Sequence, residues 1–88
     1  MVARRYLISG RVQGVGFRFF AEAAGIRAGL NGWVRNLPDG MVEIFAQGDE
    51  GGLQSFERQI RQGPSGARVD AVDVSAAPLW DNTGFDIR

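Results

Sequence analysis

The feature that most constrains this chain is a turn near its centre, Leu37-Pro38-Asp39-Gly40, set between two runs of strand character. Pro presets φ for the turn and Gly accepts a positive φ at its end, so Asp39-Gly40 after Pro38 marks a hairpin. Trp33-Val34-Arg35 enters the turn, and Met41 to Gln47 leaves it. Val42, Ile44 and Ala46 fall on one face of the second run at the strand period of two. The hairpin divides the 88 residues into two halves. Each half must then bury its remaining apolar residues against that hairpin.

In the first half, residues 4–11 (RRYLISGR) read as a strand, with Tyr6, Ile8 and Gly10 on one face and Leu7 and Ser9 on the other. After the glycine-containing segment 12–18, Phe19, Ala23, Ile26 and Leu30 lie within about 40° of one another on a helix, predicting these four as its buried stripe. Gly29 is the expected stop, and Gly25 should weaken the middle by about 1 kcal/mol relative to Ala. In the second half, Asp49 is a candidate cap for a helix with apolar positions Leu53, Phe56 and Ile60, ending at Gly63-Pro64. Residues 67–74 form a strand, and Phe85 to Arg88 can add a short terminal one. The order β-α-β-β-α-β fits two right-handed split βαβ units. It predicts an α+β fold, a ferredoxin-like α/β sandwich with both helices on one face of a mixed or antiparallel sheet, as one domain over residues 1–88. That scaffold hosts many functions, so function has to be argued from the site.

Composition narrows the chemistry. Ten basic residues balance ten acidic ones, every basic residue is Arg, and Lys, His and Cys are all absent. Thiol and Schiff-base nucleophiles, histidine acid–base catalysis, disulfides and Cys or His metal ligation are therefore excluded. Catalysis must come from Arg, Asn, Gln, carboxylates or backbone amides. The balanced charge gives no general attraction to nucleic acid or to an anionic membrane surface. The opening segment holds only a three-residue apolar run, Tyr6-Leu7-Ile8, far short of the roughly 7–15 residues of a secretion signal. No stretch approaches the about 20 apolar residues of a membrane span. A cytoplasmic monomer without cofactor or metal is expected.

Chemistry can sit in two places. The first is Gly10-Arg11-Val12-Gln13-Gly14-Val15-Gly16-Phe17-Arg18, between a strand end and a helix start. Gly14 and Gly16 let the backbone curl so that successive amides converge at a helix terminus carrying about half a positive charge, the construction of an anion cradle. Arg18, on the first helical turn, can add two parallel donors. The other reading of this segment is a tight turn beside a solvated arginine. The second place is Asn36, at the end of the strand Gly32-Trp33-Val34-Arg35. Its carboxamide offers donors and an acceptor without charge, which suits orienting a water, although Asn is also welcome at any hairpin end. Trp33 reads as a packing residue, and Asn31 and Asn82 as boundary residues. Glu43, Asp49, Glu50, Glu57, Asp70 and Asp73 read as solvated faces or caps, with no pair placed for shared acid–base work.

Taken together, GRVQGVGFR at 10–18 and GWVRN running into DG at 32–40 resemble the acylphosphatase family. The resemblance extends through Ala28-Gly29-Leu30-Asn31-Gly32, Val42-Glu43, Gln47-Gly48, Gly63-Pro64 and Ala67-Arg68-Val69, covering nearly the whole chain. It implies hydrolysis of a small-molecule acyl phosphate to a carboxylate and phosphate, without metal or covalent phosphoenzyme. By position it assigns phosphoryl binding to Arg18 and to the loop amides of Gly14, Val15, Gly16, Phe17 and Arg18, and orientation of the attacking water to Asn36. Two alternatives stand beside it. One is an acyl- or carbamoyl-phosphate-handling domain of a larger enzyme, although a chain ending directly after its last strand is expected to stand alone. The other is a non-catalytic binding module such as an RNA-recognition domain, for which Gly16-Phe17-Arg18-Phe19-Phe20 falls at a helix entrance instead of on a central strand.

Overall fold

A computed structural model describes residues 1–88, in the order β1 (Val2–Arg11), α1 (Phe17–Arg27), β2 (Asn31–Asn36), β3 (Val42–Gly48), α2 (Glu50–Gln62), β4 (Arg68–Ala76) and β5 (Phe85–Ile87). The strands form one sheet in the order β4-β1-β3-β2-β5. β1 pairs antiparallel with β3 and β4, and β2 antiparallel with β3, while β5 runs parallel to β2. This is the α+β sandwich that the alternation of periods predicts, with the optional fifth strand present. Both helices contribute to a single core with the inward residues of the sheet, among them Tyr6, Ile8, Val34, Val42 and Ile44, all with no exposed surface. No helix is long and apolar enough to cross a membrane.

Helix α2 buries Leu53, Phe56 and Ile60, the positions its period selects. Asp49 occupies the cap position, but its side chain makes no capping hydrogen bond. Its carbonyl instead accepts from Leu53 N.

Helix α1 corrects the expected stripe. Its buried residues are Phe17, Ala21, Ala24 and Gly25, whereas Ala23 is exposed, Phe19 is 67% exposed and Ile26 60%. The helix carries apolar residues on both faces, and the face with small residues packs inward because it comes very close to β5. A Cβ built on Gly25 would stand 2.5 Å from the Phe85 ring. Leu30, the last member of the expected stripe, is buried, but beyond the helix end.

The sheet face away from the helices is also covered at its centre. Every residue of β3 is buried, including Glu43 (3% exposed), Phe45 and Gln47 on the outward side. The segment between β4 and β5 folds across Phe45 and Gln47. Gln47 Nε2 donates to Trp80 O and to Asn82 Oδ1, and Trp80 N donates to Gln47 Oε1 at 3.0 Å. Trp33 stacks on Phe45 (centroids 6.2 Å apart), and Trp80 meets Phe45 edge-on at 6.0 Å. Glu43 is thus no solvated carboxylate. Nε of Arg5 and Nε of Arg35 each donate to it at 2.5 Å.

Candidate active site

The strand-to-helix loop takes its shape from two glycines. Gly14 (φ 75°) and Gly16 (φ 78°, ψ 20°) both lie in the left-handed region that disfavours any residue with a Cβ. Their own Cβ positions face open space, so the requirement is conformational and not one of room. Gly16 is also the residue that caps α1, so the helix opens with no capping side chain and no acidic residue in its first turn. No side chain of the cap or the first turn therefore neutralises that end. No amide from Gly14 to Gly16 donates to a backbone carbonyl, and those of Phe17, Arg18 and Phe19 have no acceptor within the helix.

Asn36 ends β2, paired with Val42 of β3. Although its loop and the glycine loop belong to different strand–helix units, one side chain joins them. Gln13 Nε2 donates to Leu37 O at 2.8 Å and to Met41 O at 2.9 Å, the two carbonyls flanking the hairpin turn. The sequence alone assigns Gln13 no role. Its only signal there is an amide donor between apolar Val12 and a glycine turn.

The result is one cavity of about 200 Å³ lined by Val12, Gly14, Gly16, Phe17, Arg18, Phe19 and Asn36. Of the residues expected at a site, Gly14, Gly16, Phe17, Arg18 and Asn36 meet here. Val15 contributes no wall, and its side chain packs half-buried against the core. Phe19, expected inside, instead stands at the opening. The Arg18 guanidinium is held from one side, where Nη1 donates to Arg88 O at 3.0 Å. Asn36 Oδ1 is buried and has no hydrogen-bond partner in the protein. An unpaired buried acceptor costs about 1–3 kcal/mol unless a water or ligand donates to it. No carboxylate lines the cavity, and no group of three or more acidic residues elsewhere is arranged to hold a metal.

Fold and cavity define a class: an α+β sandwich in which a glycine-shaped strand–helix loop, an arginine and an asparagine share one small pocket. The comparison with known proteins resolves that class further. A family model for acylphosphatase matches residues 4–87. An acylphosphatase of Koribacter versatilis is 53% identical over 97% of this chain and 78% of its own length. The crystal structure of acylphosphatase from Bacillus subtilis superposes with a TM-score of 0.97 at 39% identity, covering 100% of this chain and 99% of that one. The same fold forms a small part of full-length HypF, with a TM-score of 0.86 at 30% identity over 99% of this chain but 12% of that one. The chain belongs to the acylphosphatase family, whose activity is the hydrolysis of acyl phosphates.

Proposed function

We propose that the cavity hydrolyses the carboxyl–phosphate bond by in-line attack of a water that Asn36 orients on a phosphoryl group held by Arg18 and the amides of Gly14 to Arg18. The observation that carries this reading is that Arg18 and Asn36 both line one cavity of about 200 Å³. A phosphoryl group placed against Gly14 and Gly16 meets free amides, the positive end of α1 and the arginine fork together. The Asn36 carboxamide then hydrogen-bonds a water and fixes its lone pair toward phosphorus.

The bond bookkeeping suits a site without histidine, cysteine or lysine. The water oxygen forms a bond to phosphorus, the bond from phosphorus to the acyl oxygen breaks, and the acyl group leaves as a carboxylate. A carboxylate is a weak base, so its departure needs no general acid. The proton of the attacking water passes to a phosphoryl oxygen. What remains is positioning and stabilisation of charge on the equatorial oxygens, which Arg18 and the amides supply.

The HypF likeness supports a second reading, a phosphate-handling domain that serves a larger enzyme. The 53% identity to a curated acylphosphatase favours the first. Release of inorganic phosphate from acetyl phosphate in EDTA, beside an alkyl phosphate ester, tests the choice. Turnover of the acyl phosphate alone supports the proposal. A folded protein inert toward acyl phosphates overturns it.

A further inference from the structure

We propose that the outer face of the sheet carries a second binding site, a groove between Trp33, Phe45 and Trp80, for a small aromatic carboxylate whose acid group Arg88 holds. None of the residues lining this groove lines the cavity at the glycine loop, so the proposal stands apart from the chemistry assigned there.

Three observations lead there. First, there is room. The groove has a volume of about 410 Å³, about twice that of the loop cavity and within the roughly 300–1,000 Å³ of small-molecule sites. Trp33 and Phe45 come to it from the sheet, and Pro78, Leu79 and Trp80 from the β4–β5 segment, with Leu79 57% and Trp80 47% exposed. Second, the wall is already in place. Both ends of the buried Gln47 carboxamide are committed to the Trp80 backbone, so little of this wall has to be ordered when a ligand arrives. Third, the groove holds a cation that lacks an anion. The ion pairs of the chain engage Arg4, Arg5, Arg35, Arg61 and Arg68 and leave Arg88 out. Its guanidinium lies over two indole faces, 4.6 Å from the Trp33 centre and 5.3 Å from that of Trp80, contacts that fix the charge without giving it an acceptor. No acidic residue lines the groove, and Arg35, which also lies over Trp33, is committed to Glu43.

These features select the ligand. Aromatic walls favour a flat ring through stacking or edge-on contact. The guanidinium fork matches the two oxygens of a carboxylate, and one cation matches one negative charge. A neutral aromatic molecule forgoes the cation, and acetate forgoes the walls.

The chain has two tryptophans, and both line the groove. Their indole N–H signals in a heteronuclear NMR spectrum therefore report on it directly, while the backbone amides of Gly14 and Gly16 report on the loop cavity. Cinnamate, cinnamyl alcohol and acetate are titrated against the unaltered protein, and the two aromatic ligands also against Arg88→Gln and Leu79→Asp. The proposal predicts saturable shifts of both indole signals with cinnamate, about tenfold weaker binding of the alcohol, and no indole shift with acetate at the same concentrations. Arg88→Gln should weaken cinnamate by about tenfold, to the level of the alcohol, and leave the alcohol where it was. Leu79→Asp should weaken both aromatic ligands, and cinnamate more, because it adds a like charge to the groove. Equal affinity for acid and alcohol in the unaltered protein, or unmoved cinnamate affinity in folded Arg88→Gln, would overturn the proposal. So would indole signals that stay still while those of Gly14 and Gly16 shift, since the carboxylate would then sit in the loop cavity.

Discussion

Nη1 of Arg18 donates a hydrogen bond to the backbone oxygen of Arg88 at 3.0 Å. Arg88 is itself fixed, because its N–H donates to Val34 O at 2.8 Å and its guanidinium lies 4.6 Å from the Trp33 ring centre and 5.3 Å from that of Trp80. The cavity's one cation is thereby anchored beside the edge strand β5 through a single donor, and four of its five N–H groups are left without a partner in the protein.

Arg18→Gln removes that charge and the fork geometry. Loss of one preorganised donor to a transition-state oxyanion costs about 10²–10³ in rate. We expect a fall of at least that order in kcat/KM for acetyl phosphate and a marked weakening of competitive inhibition by inorganic phosphate. Unchanged inhibition would place the anion site elsewhere.

Gln13 ties the glycine loop to the hairpin through Leu37 O and Met41 O. Gln13→Ala leaves both carbonyls without this donor and frees the two halves of the site to drift. Stability should fall by about 1–3 kcal/mol in urea unfolding. Turnover should fall by about tenfold or more even where the protein is fully folded, since small misplacements of reacting groups are costly. Full activity in the folded variant would show that the hairpin keeps its place without the bridge.

Gly25→Ala sets helix propensity against packing. Propensity alone makes Ala better by about 1 kcal/mol in a helix interior. The new Cβ would press on the Phe85 ring from 2.5 Å. Overpacking of this kind costs about 1–3 kcal/mol, so thermal unfolding should show the variant destabilised. A stabilised variant would mean that α1 stands further from β5 than described.

Glu43 governs part of the acid sensitivity. Burial by itself would raise its pKa, but the hydrogen bonds from Arg35 and Arg5 outweigh that and hold the carboxyl below its ordinary value. A depressed folded value means stability that is full above the unfolded pKa of about 4.3 and is lost as pH falls through the lower folded value. Urea midpoints taken from pH 6 down to pH 3 should therefore drop less steeply in Glu43→Gln than in the unaltered protein. Parallel profiles would remove Glu43 from the acid transition.

How far the sequence reveals this molecule depends on whether each signal is local. Helix α2 is legible because Leu53, Phe56 and Ile60 form its one apolar face, so period and packing agree. Helix α1 is not, because Phe19, Ala23 and Ile26 make as good a stripe as Phe17, Ala21 and Ala24. Only the closeness of Phe85 to Gly25 decides between them, and that is a tertiary fact. Strand alternation likewise sends Glu43 to solvent, and nothing in its own strand shows that Arg5 and Arg35 from the two flanking strands will close on it. At the site, turn and cap chemistry marks the glycine loop and the hairpin end. By itself it leaves Arg18 a solvated arginine and Asn36 an ordinary hairpin-end residue, and only the motif resemblance singles them out. The Gln13 bridge and the outward Phe19 depend on how two separated segments meet, which composition and period do not encode.

The division of labour between Arg18 and Asn36 is the centre of this account, and Asn36→Ala tests it most directly. Its kcat on acetyl phosphate should be compared with its inhibition constant for inorganic phosphate, both against the unaltered protein. The account predicts that kcat collapses by about 10² or more while phosphate still binds within about twofold, because the water is lost and the cradle is kept. An unaltered kcat would contradict the role given to Asn36. A loss of phosphate binding equal to the loss of turnover would contradict the separation of its role from that of Arg18.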